Sequence, residues 1–217
     1  MGTNAVKIVT VFRSGGDFTH YHVRWFKRQC DEHHPGVPFV CLSDEPIEGV
    51  KFIFMRYDWP GWWGKIELFE HFNNALFFDL DTVLLQPVWD ILDHNPKGLM
   101  ALRKLSGLLD GDPDSIGSGV MRWNCDLSGI TYAFRHDPDR YMAECNHKFN
   151  WGDQGFILSQ VDRFEYLQEQ FPNTVMSYKR EDGLNMGRKP LPEWCRILCF
   201  HGQPRPWDVD EEYVPKL

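Results

Sequence analysis

Runs of apolar residues without alternation mark residues 6–12, 39–42, 50–55 and 75–78 of the chain. Runs of that length with no polar face predict strands buried on both sides. Between them, residues 20–30 and 65–72 carry apolar side chains at helical spacing. Turn residues separate the elements, with Gly15-Gly16 after the first strand, Ser43-Asp44 after the second and Trp59-Pro60-Gly61 before the second helix. Unalternating strands separated by helices predict an α/β fold built on a mostly parallel sheet with helices on both faces. In such sheets ligands bind beyond the carboxyl ends of the strands, which places Thr10 and Phe12, at the end of the first strand, near the expected ligand.

The second half is less regular. Strands are predicted at 99–102, 119–123 and 196–200, a helix over 161–171, and a Gly/Asp/Pro-rich loop over 106–115 before a Pro-rich tail. No linker separates two units, so a single Rossmann-like domain over 1–217 is expected, with a nucleotide-binding half over about 1–90 and a sugar and acceptor half over about 91–217.

Composition fits that picture: 217 residues with 42% hydrophobic and 25% charged side chains suffice for one packed domain and exclude a disordered chain. The 23 basic against 31 acidic residues give a net charge of −8, which argues against binding nucleic acid or anionic membranes. No stretch approaches the ~20 apolar residues of a bilayer span, and the start Met1-Gly2-Thr3-Asn4-Ala5-Val6 has neither a signal-peptide core nor the Ser or Thr of a myristoylation site. The cysteines are scattered, with Cys41 and Cys199 inside apolar runs, so free thiols and a cytoplasmic location are expected. Several of the nine tryptophans stand beside Gly or Pro. Packing is their ordinary role, and lining a ligand cleft is the alternative.

The strongest local signal is Asp79-Leu80-Asp81 inside the apolar segment 75–85. In an extended chain the two carboxylates point the same way while Leu80 packs behind them. Such a pair repels itself and loses hydration unless a cation compensates, and its hard oxygens suit Mn²⁺ or Mg²⁺. The plainer reading is that Asp81 or Thr82 caps a turn before Pro87. A second signal is His201-Gly202-Gln203-Pro204-Arg205-Pro206-Trp207 after the last strand. An imidazole there suits Mn²⁺, Gly202 permits close approach of an anion, and Arg205 can meet phosphate. A surface histidine in a Pro-rich turn is the alternative. The third, Asp153-Gln154 between Gly152 and Gly155, puts two polar side chains at a helix start, where an aspartate is ordinarily a cap.

Together these motifs resemble the GT-A-fold nucleotide-sugar glycosyltransferases, near the group of glycogenin and the bacterial galactosyltransferases. The resemblance implies that Asp79, Asp81 and His201 hold a divalent metal, Mn²⁺ with Mg²⁺ as the alternative, against the donor diphosphate, with Leu80 among the donor contacts. The family's late His-x-x-Gly-x-x-Lys-Pro-Trp element is shortened here, with Gly202 directly after His201 and Arg205-Pro206-Trp207 at its end. The resemblance extends to Trp62-Trp63-Gly64-Lys65, with Lys65 as the basic donor contact, and to Gly117-Ser118-Gly119-Val120, with Ser118 and Gly119 beside the sugar. It also covers Asp153-Gln154 as the catalytic sugar-binding pair, and Ser177-Tyr178-Lys179, with Lys179 facing the phosphates. It implies a UDP-sugar donor, with a GDP-sugar as the alternative, and retention of configuration. The acceptor stays open between a glycan, a lipid-linked sugar and a protein.

Two rivals remain. Asp79-Leu80-Asp81-Thr82 also resembles the first motif of haloacid-dehalogenase-like phosphatases, in which Asp79 would be the nucleophile. Thr82 stands where that motif needs Gly, and His201–Trp207 would then have no role. A non-catalytic nucleotide- or sugar-binding module is the other.

Overall fold

The computed structural model describes residues 5–105, 115–147, 150–179 and 191–217. Most of the expected loop over 106–115 therefore lies outside the described residues. The first strands form where the apolar runs predict them: β1 (Lys7–Phe12), β2 (Phe39–Ser43), a shortened β3 (Phe52–Phe54) and β4 (Ala75–Phe78). Helix α1 (His20–His33) covers them, burying Val23, Trp25, Phe26 and Cys30. The expected second helix is a 3₁₀ segment, Gly61–Glu67, running into a short α2 (Leu68–His71). Buried Glu67 steers that entry by accepting the backbone N–H groups of Arg56 and Tyr57 at 2.8 and 3.2 Å.

After β4 the chain forms β5 (Thr82–Leu84), α3 (Trp89–Asp93), β6 (Leu99–Arg103), β7 (Ile116–Trp123), α4 (Ser128–His136) and α5 (Pro138–Glu144). The short β8 (Asn146–His147) and β9 (Asn150–Trp151) lead into α6 (Gly152–Gln160), β10 (Phe164–Tyr166), α7 (Leu167–Gln170), β11 (Val175–Ser177) and β12 (Ile197–Cys199). The main sheet has the order β10-β6-β7-β4-β1-β2-β3, parallel except where β7 runs antiparallel to β4 and β6. This bears out the α/β class with a mostly parallel sheet. From β1 the chain moves outward to β2 and β3, then returns to β1's other side as β4, so the order reverses between β1 and β4. A reversal of that kind opens a crevice at the carboxyl ends of the strands.

One expected element needs correction. The helix expected over 161–171 is a strand and a short helix, because Phe164–Tyr166 pairs with Leu99–Ala101 at the sheet edge while Glu165 accepts from His94 and from the Lys97 N–H. Edge pairing outweighs helical spacing there. The last strand forms where it is expected, though outside the main sheet: β12 pairs antiparallel with β5 and parallel with β11 in a separate three-stranded sheet.

Beneath β7 lies a fully buried arginine. Arg122 donates to the carbonyls of Ile91, Leu92 and Ala75 at 3.3, 3.1 and 3.4 Å, and to that of Trp123. Loss of hydration lowers its guanidinium to about 10 even with Asp93 opposing. Arg122→Met keeps the stem and strands those carbonyls, so stability should fall by about 3 kcal/mol or more. Urea unfolding measures this, and a loss below about 1 kcal/mol would show that water or relaxation replaces the guanidinium.

Candidate active site

The crevice at the sheet reversal is a cleft of about 1030 Å³. The loop after β1 supplies Arg13–Phe18, the turn after β4 supplies Asp79 and Asp81, and the tail after β12 supplies His201, Gly202 and Arg205. Because β7 runs antiparallel, its beginning, Gly117-Ser118-Gly119, reaches the same edge. Gly119 accepts the Asp79 N–H at 2.8 Å, and a side chain there would bring its Cβ within 3.3 Å of the Asp79 carboxylate.

The Asp79-Leu80-Asp81 segment is a turn, not the extended strand end expected from i, i+2 alternation: the Thr82 N–H closes back on the Asp79 carbonyl at 3.1 Å. Leu80 is buried in the core behind it. Both carboxylates still border the cleft but meet different cations. Asp79 faces Lys65, whose Nζ lies 3.1 Å from Asp79 Oδ1, 3.2 Å from Asp153 Oδ2 and 3.1 Å from Ser118 Oγ. Ser118 in turn donates to Asp153 Oδ2 at 2.6 Å. Burial alone would lower the Lys65 ammonium, but Asp153 and Asp79 outweigh it and hold it raised, so it stays charged. Asp79 is pushed up to about 6: loss of hydration and the neighbouring Asp81 and Asp153 raise it, against the pull of Lys65.

Asp81 is buried and accepts from the Arg205 guanidinium and from the Gly202 N–H at 3.3 Å, both on Oδ2. Arg205 also bonds Asp17 Oδ2 at 2.9 Å and lies over the Phe18 ring. Antiparallel pairing of β12 with β5 brings this tail alongside, with the Phe200 N–H on the Asp81 carbonyl at 3.2 Å. Trp207 holds it in place, packed 3.8 Å from the His22 ring and edge-on to Trp25. His201 sits at the rim with its Nε2 2.5 Å from Ser177 Oγ, while Lys179 Nζ donates to the His201 carbonyl at 3.0 Å. Loss of hydration and the Lys179 charge lower its imidazole, against Asp81.

The structure thus brings Lys65, Asp79, Asp81, Ser118, Gly119, Asp153, Gln154, His201, Gly202 and Arg205 to one cleft, with Lys179 beside Gly202 at its rim. Thr10 and Phe12 lie elsewhere: both are buried, and the Thr10 hydroxyl donates to the Phe78 carbonyl at 2.9 Å. Among the described residues no group of three His, Cys, Asp or Glu is already gathered as a metal site, because His201 is turned to Ser177 and Arg205 occupies Asp81. The Asp79 and Asp81 oxygens are nevertheless hard donors at one cleft floor, the chemistry Mn²⁺ or Mg²⁺ needs. Asp153 stands in the first turn of α6 without capping it, since its carboxylate is spent on Lys65 and Ser118. Sequence reasoning missed Arg13, Asp17 and Phe18 as cleft residues, although the Gly15-Gly16 break after β1 marks their loop.

No protein-family model matches the chain, and no curated protein matches it in sequence. Its fold has solved counterparts. The glycosyltransferase GlyE of Streptococcus pneumoniae TIGR4 superimposes with a TM-score of 0.66 at 14% identity, over 94% of this chain and 57% of GlyE. The galactosyltransferase LgtC, solved with donor and acceptor sugar analogs, gives 0.57 at 14% identity over 93% of this chain and 89% of LgtC. Mouse xyloside xylosyltransferase 1 gives 0.53 at 10% identity over 91% and 98% of the two chains. The chain therefore has the GT-A fold of these enzymes, and it spans little more than half the length of GlyE. No helix among the described residues is long and apolar enough to cross a membrane.

Asp79 holds its proton more tightly folded than unfolded, so its ionisation weakens the fold as pH rises through about 6 and costs nothing below 3.8. Asp79→Asn should accordingly melt higher than the parent at pH 8, with the gain shrinking towards pH ~4. Melting curves at both pH values decide it; an equal or opposite difference would mean that Lys65 fully offsets the crowding.

Proposed function

We propose that this chain is a retaining glycosyltransferase that moves a sugar from a nucleoside diphosphate sugar, a UDP-sugar in preference to a GDP-sugar, to an acceptor hydroxyl. The observation that carries the reading is the pairing of two charge clusters in the switch-point cleft: Lys65 with Asp79 and Asp153, and Arg205 with Asp81 and Asp17. A donor of this class has an anionic diphosphate next to a neutral, hydroxyl-rich ring, and the two clusters suit those two parts.

Arg205 offers a planar fork matched to phosphate oxygens, and Lys179 adds a point charge beside it. An incoming diphosphate competes with Asp81 and Asp17 for that guanidinium, releasing Asp81. Mn²⁺, with Mg²⁺ as the alternative, would be held by Asp79 and Asp81, with His201 as a nitrogen donor, and would act as a Lewis acid on the leaving diphosphate. At the other end, Asp153 and Gln154 face the sugar. Hydroxyls both donate and accept, so their site needs an acceptor-only carboxylate beside an amide that does either. Lys65 and Ser118 fix the Asp153 rotamer, which holds it ready for the ring. In transfer, the acceptor oxygen bonds to the anomeric carbon as the bond from that carbon to the diphosphate breaks. The acceptor proton ends on the diphosphate or in solvent. On this reading residues 1–90 serve the nucleotide and 91–217 the sugar and acceptor. LgtC was solved with donor and acceptor sugar analogs, which supports two sugars meeting in one cleft of this fold.

Thermal shifts with UDP, UDP-glucose, UDP-galactose and GDP-mannose, with and without Mn²⁺, test the donor class. A UDP-ligand at 100 times its Kd should stabilise the chain by about 2.7 kcal/mol only when Mn²⁺ is present. Asp81→Asn should remove that Mn²⁺ dependence and abolish transfer while keeping the parent's circular dichroism; unchanged Mn²⁺-dependent binding would refute the metal assignment. Tight binding of a UDP-sugar with neither transfer nor hydrolysis would mark a non-catalytic module instead.

Asp153→Asn separates sugar from nucleotide recognition. UDP affinity should stay within about 3-fold of the parent, while transfer from the sugar donor falls by about 100-fold or more. A variant that instead loses UDP binding in proportion to transfer would place Asp153 at the nucleotide.

A further inference from the structure

Three aromatic side chains border the cleft, and they differ in what they are doing. Phe18 is already engaged, edge-on to His22 and Trp207 and under the Arg205 guanidinium. Trp62 and Trp151 are not: they are 54% and 47% exposed, and neither ring stacks on another aromatic ring among the described residues. Trp62 nonetheless lies against the Gly152 backbone, for its Nε1 is 2.9 Å from where a Cβ on Gly152 would stand, and Gly152 takes a left-handed φ of +61°. The indole thus rests on bare backbone directly before Asp153 and Gln154, and Trp151 flanks the same point from the adjacent position in the chain. Two open indoles therefore bracket the polar pair assigned to sugar recognition.

An indole face is flat, apolar and negative at its centre, and it attracts polarised C–H groups. A pyranose ring presents such a C–H face, and with Asp153 and Gln154 given to the donor sugar, the indoles that flank the pair are left for a second ring. A nucleobase would also stack, but the groups suited to its diphosphate stand on the tail side of the cleft. Arg205 is tied there to Asp17 and Asp81, and Lys179 to His201. The indoles belong to the Asp153 side.

We infer that Trp62 and Trp151 form the acceptor subsite and grip a pyranose ring, so that the acceptor is a saccharide and not a bare peptide. The inference rests on the sugar-transfer reading above, and it adds the substrate class to it.

Saturation-transfer NMR on the whole chain tests the subsite without turnover. The probes are methyl β-D-glucopyranoside, methyl β-D-galactopyranoside, methyl α-D-mannopyranoside, a capped Gly-Ser-Thr-Gly peptide and UDP. At least one glycoside should receive saturation on its ring C–H protons, and the signal should fall on the order of 5-fold in Trp62→Ala and in Trp151→Ala, relative to the UDP signal. Trp→Phe at either position should retain most of it. Trp→Leu, which keeps an apolar bulk but no π face, should lose it, and this pair serves if an alanine variant fails to fold. The inference is overturned if no glycoside is saturated, if the alanine and leucine variants leave the glycoside signal unchanged, if only the peptide binds, or if the UDP signal falls in place of the glycoside's. It is also overturned if sedimentation shows a dimer that the alanine variants dissociate, since the indoles would then cover a second copy. Glycoside binding that depends on the tryptophans in a protein that transfers no sugar keeps the subsite and overturns transfer alone. Transfer with glycoside binding indifferent to them does the reverse.

Discussion

The Lys65 ammonium is 6% exposed and reaches two carboxylates and a serine hydroxyl that arrive on separate elements: Asp79 after β4, Ser118 at the start of β7 and Asp153 in the first turn of α6. An ammonium taken out of water costs several kcal/mol unless its attraction to partners repays it. Here the repayment requires that the three elements meet at one point. Each of them has a second reason to be there, since β4 and β7 share the sheet and α6 packs on the 3₁₀ segment that carries Lys65. The local conformations follow from this meeting. Gly119 carries no side chain because one would press on the Asp79 carboxylate, and Gly152 carries none because Trp62 lies against it. A hub of charge at the sheet reversal therefore dictates small residues around it, and those small residues open the cleft.

The second cluster works differently. Arg205 bridges partners of unequal burial, Asp81 buried in the cleft floor and the exposed Asp17 in the β1 loop. Its backbone is held by packing some distance away, where Trp207 sits among Phe18, His22 and Trp25 and where the indole N–H of Trp25 donates to the Pro215 carbonyl at 2.8 Å. A rigid anchor with a long side chain can change partners without moving the backbone. Lys65 lacks that freedom, which suits the first cluster to holding a neutral ring and the second to exchanging one anion for another.

Much of this was legible in the sequence, for identifiable reasons. β1, β2 and β4 are buried on both faces, so their apolar runs are continuous and announce themselves without knowledge of their partners. Residues 164–166 do not, because an edge strand is chosen by the segment it pairs with, here Leu99–Ala101. The same holds for β5 and β12, whose antiparallel pairing forms a second sheet and carries the tail to Asp81. The Asp-x-Asp carboxylates could be picked out because two charges in an apolar segment demand compensation. Their compensators could not, since Lys65 and Arg205 meet them only after the chain has folded. Asp153 shows the limit most plainly: an aspartate at a helix start reads as a cap, and only the position of Lys65 reveals that its carboxylate is committed elsewhere. Thr10 and Phe12 depart in the opposite sense, since side chains alternate along a strand and here Val11 and Arg13, not Thr10 and Phe12, border the cleft.

Charge accounting ties the two clusters to the acidity of the whole chain. Within the cleft and its rim, Lys65 is paired with Asp79 and Asp153, Arg205 with Asp81 and Asp17, and Arg13 with Asp58, while Lys104 and Lys179 add further positive charge. A phosphate arriving alone competes with carboxylates for Lys65 and Arg205, and the overall charge of −8 offers no long-range attraction. Binding an anion at Arg205 is therefore favoured when a neighbouring carboxylate is neutralised at the same time, by a cation or by a proton on the raised Asp79. A ligand bringing only charge gains little from such a site. On the proposed reading, one that also brings a hydroxyl-rich ring to Asp153 and Gln154 gains contacts that do not depend on the balance of charge, which would favour a sugar-bearing diphosphate over simpler phosphates.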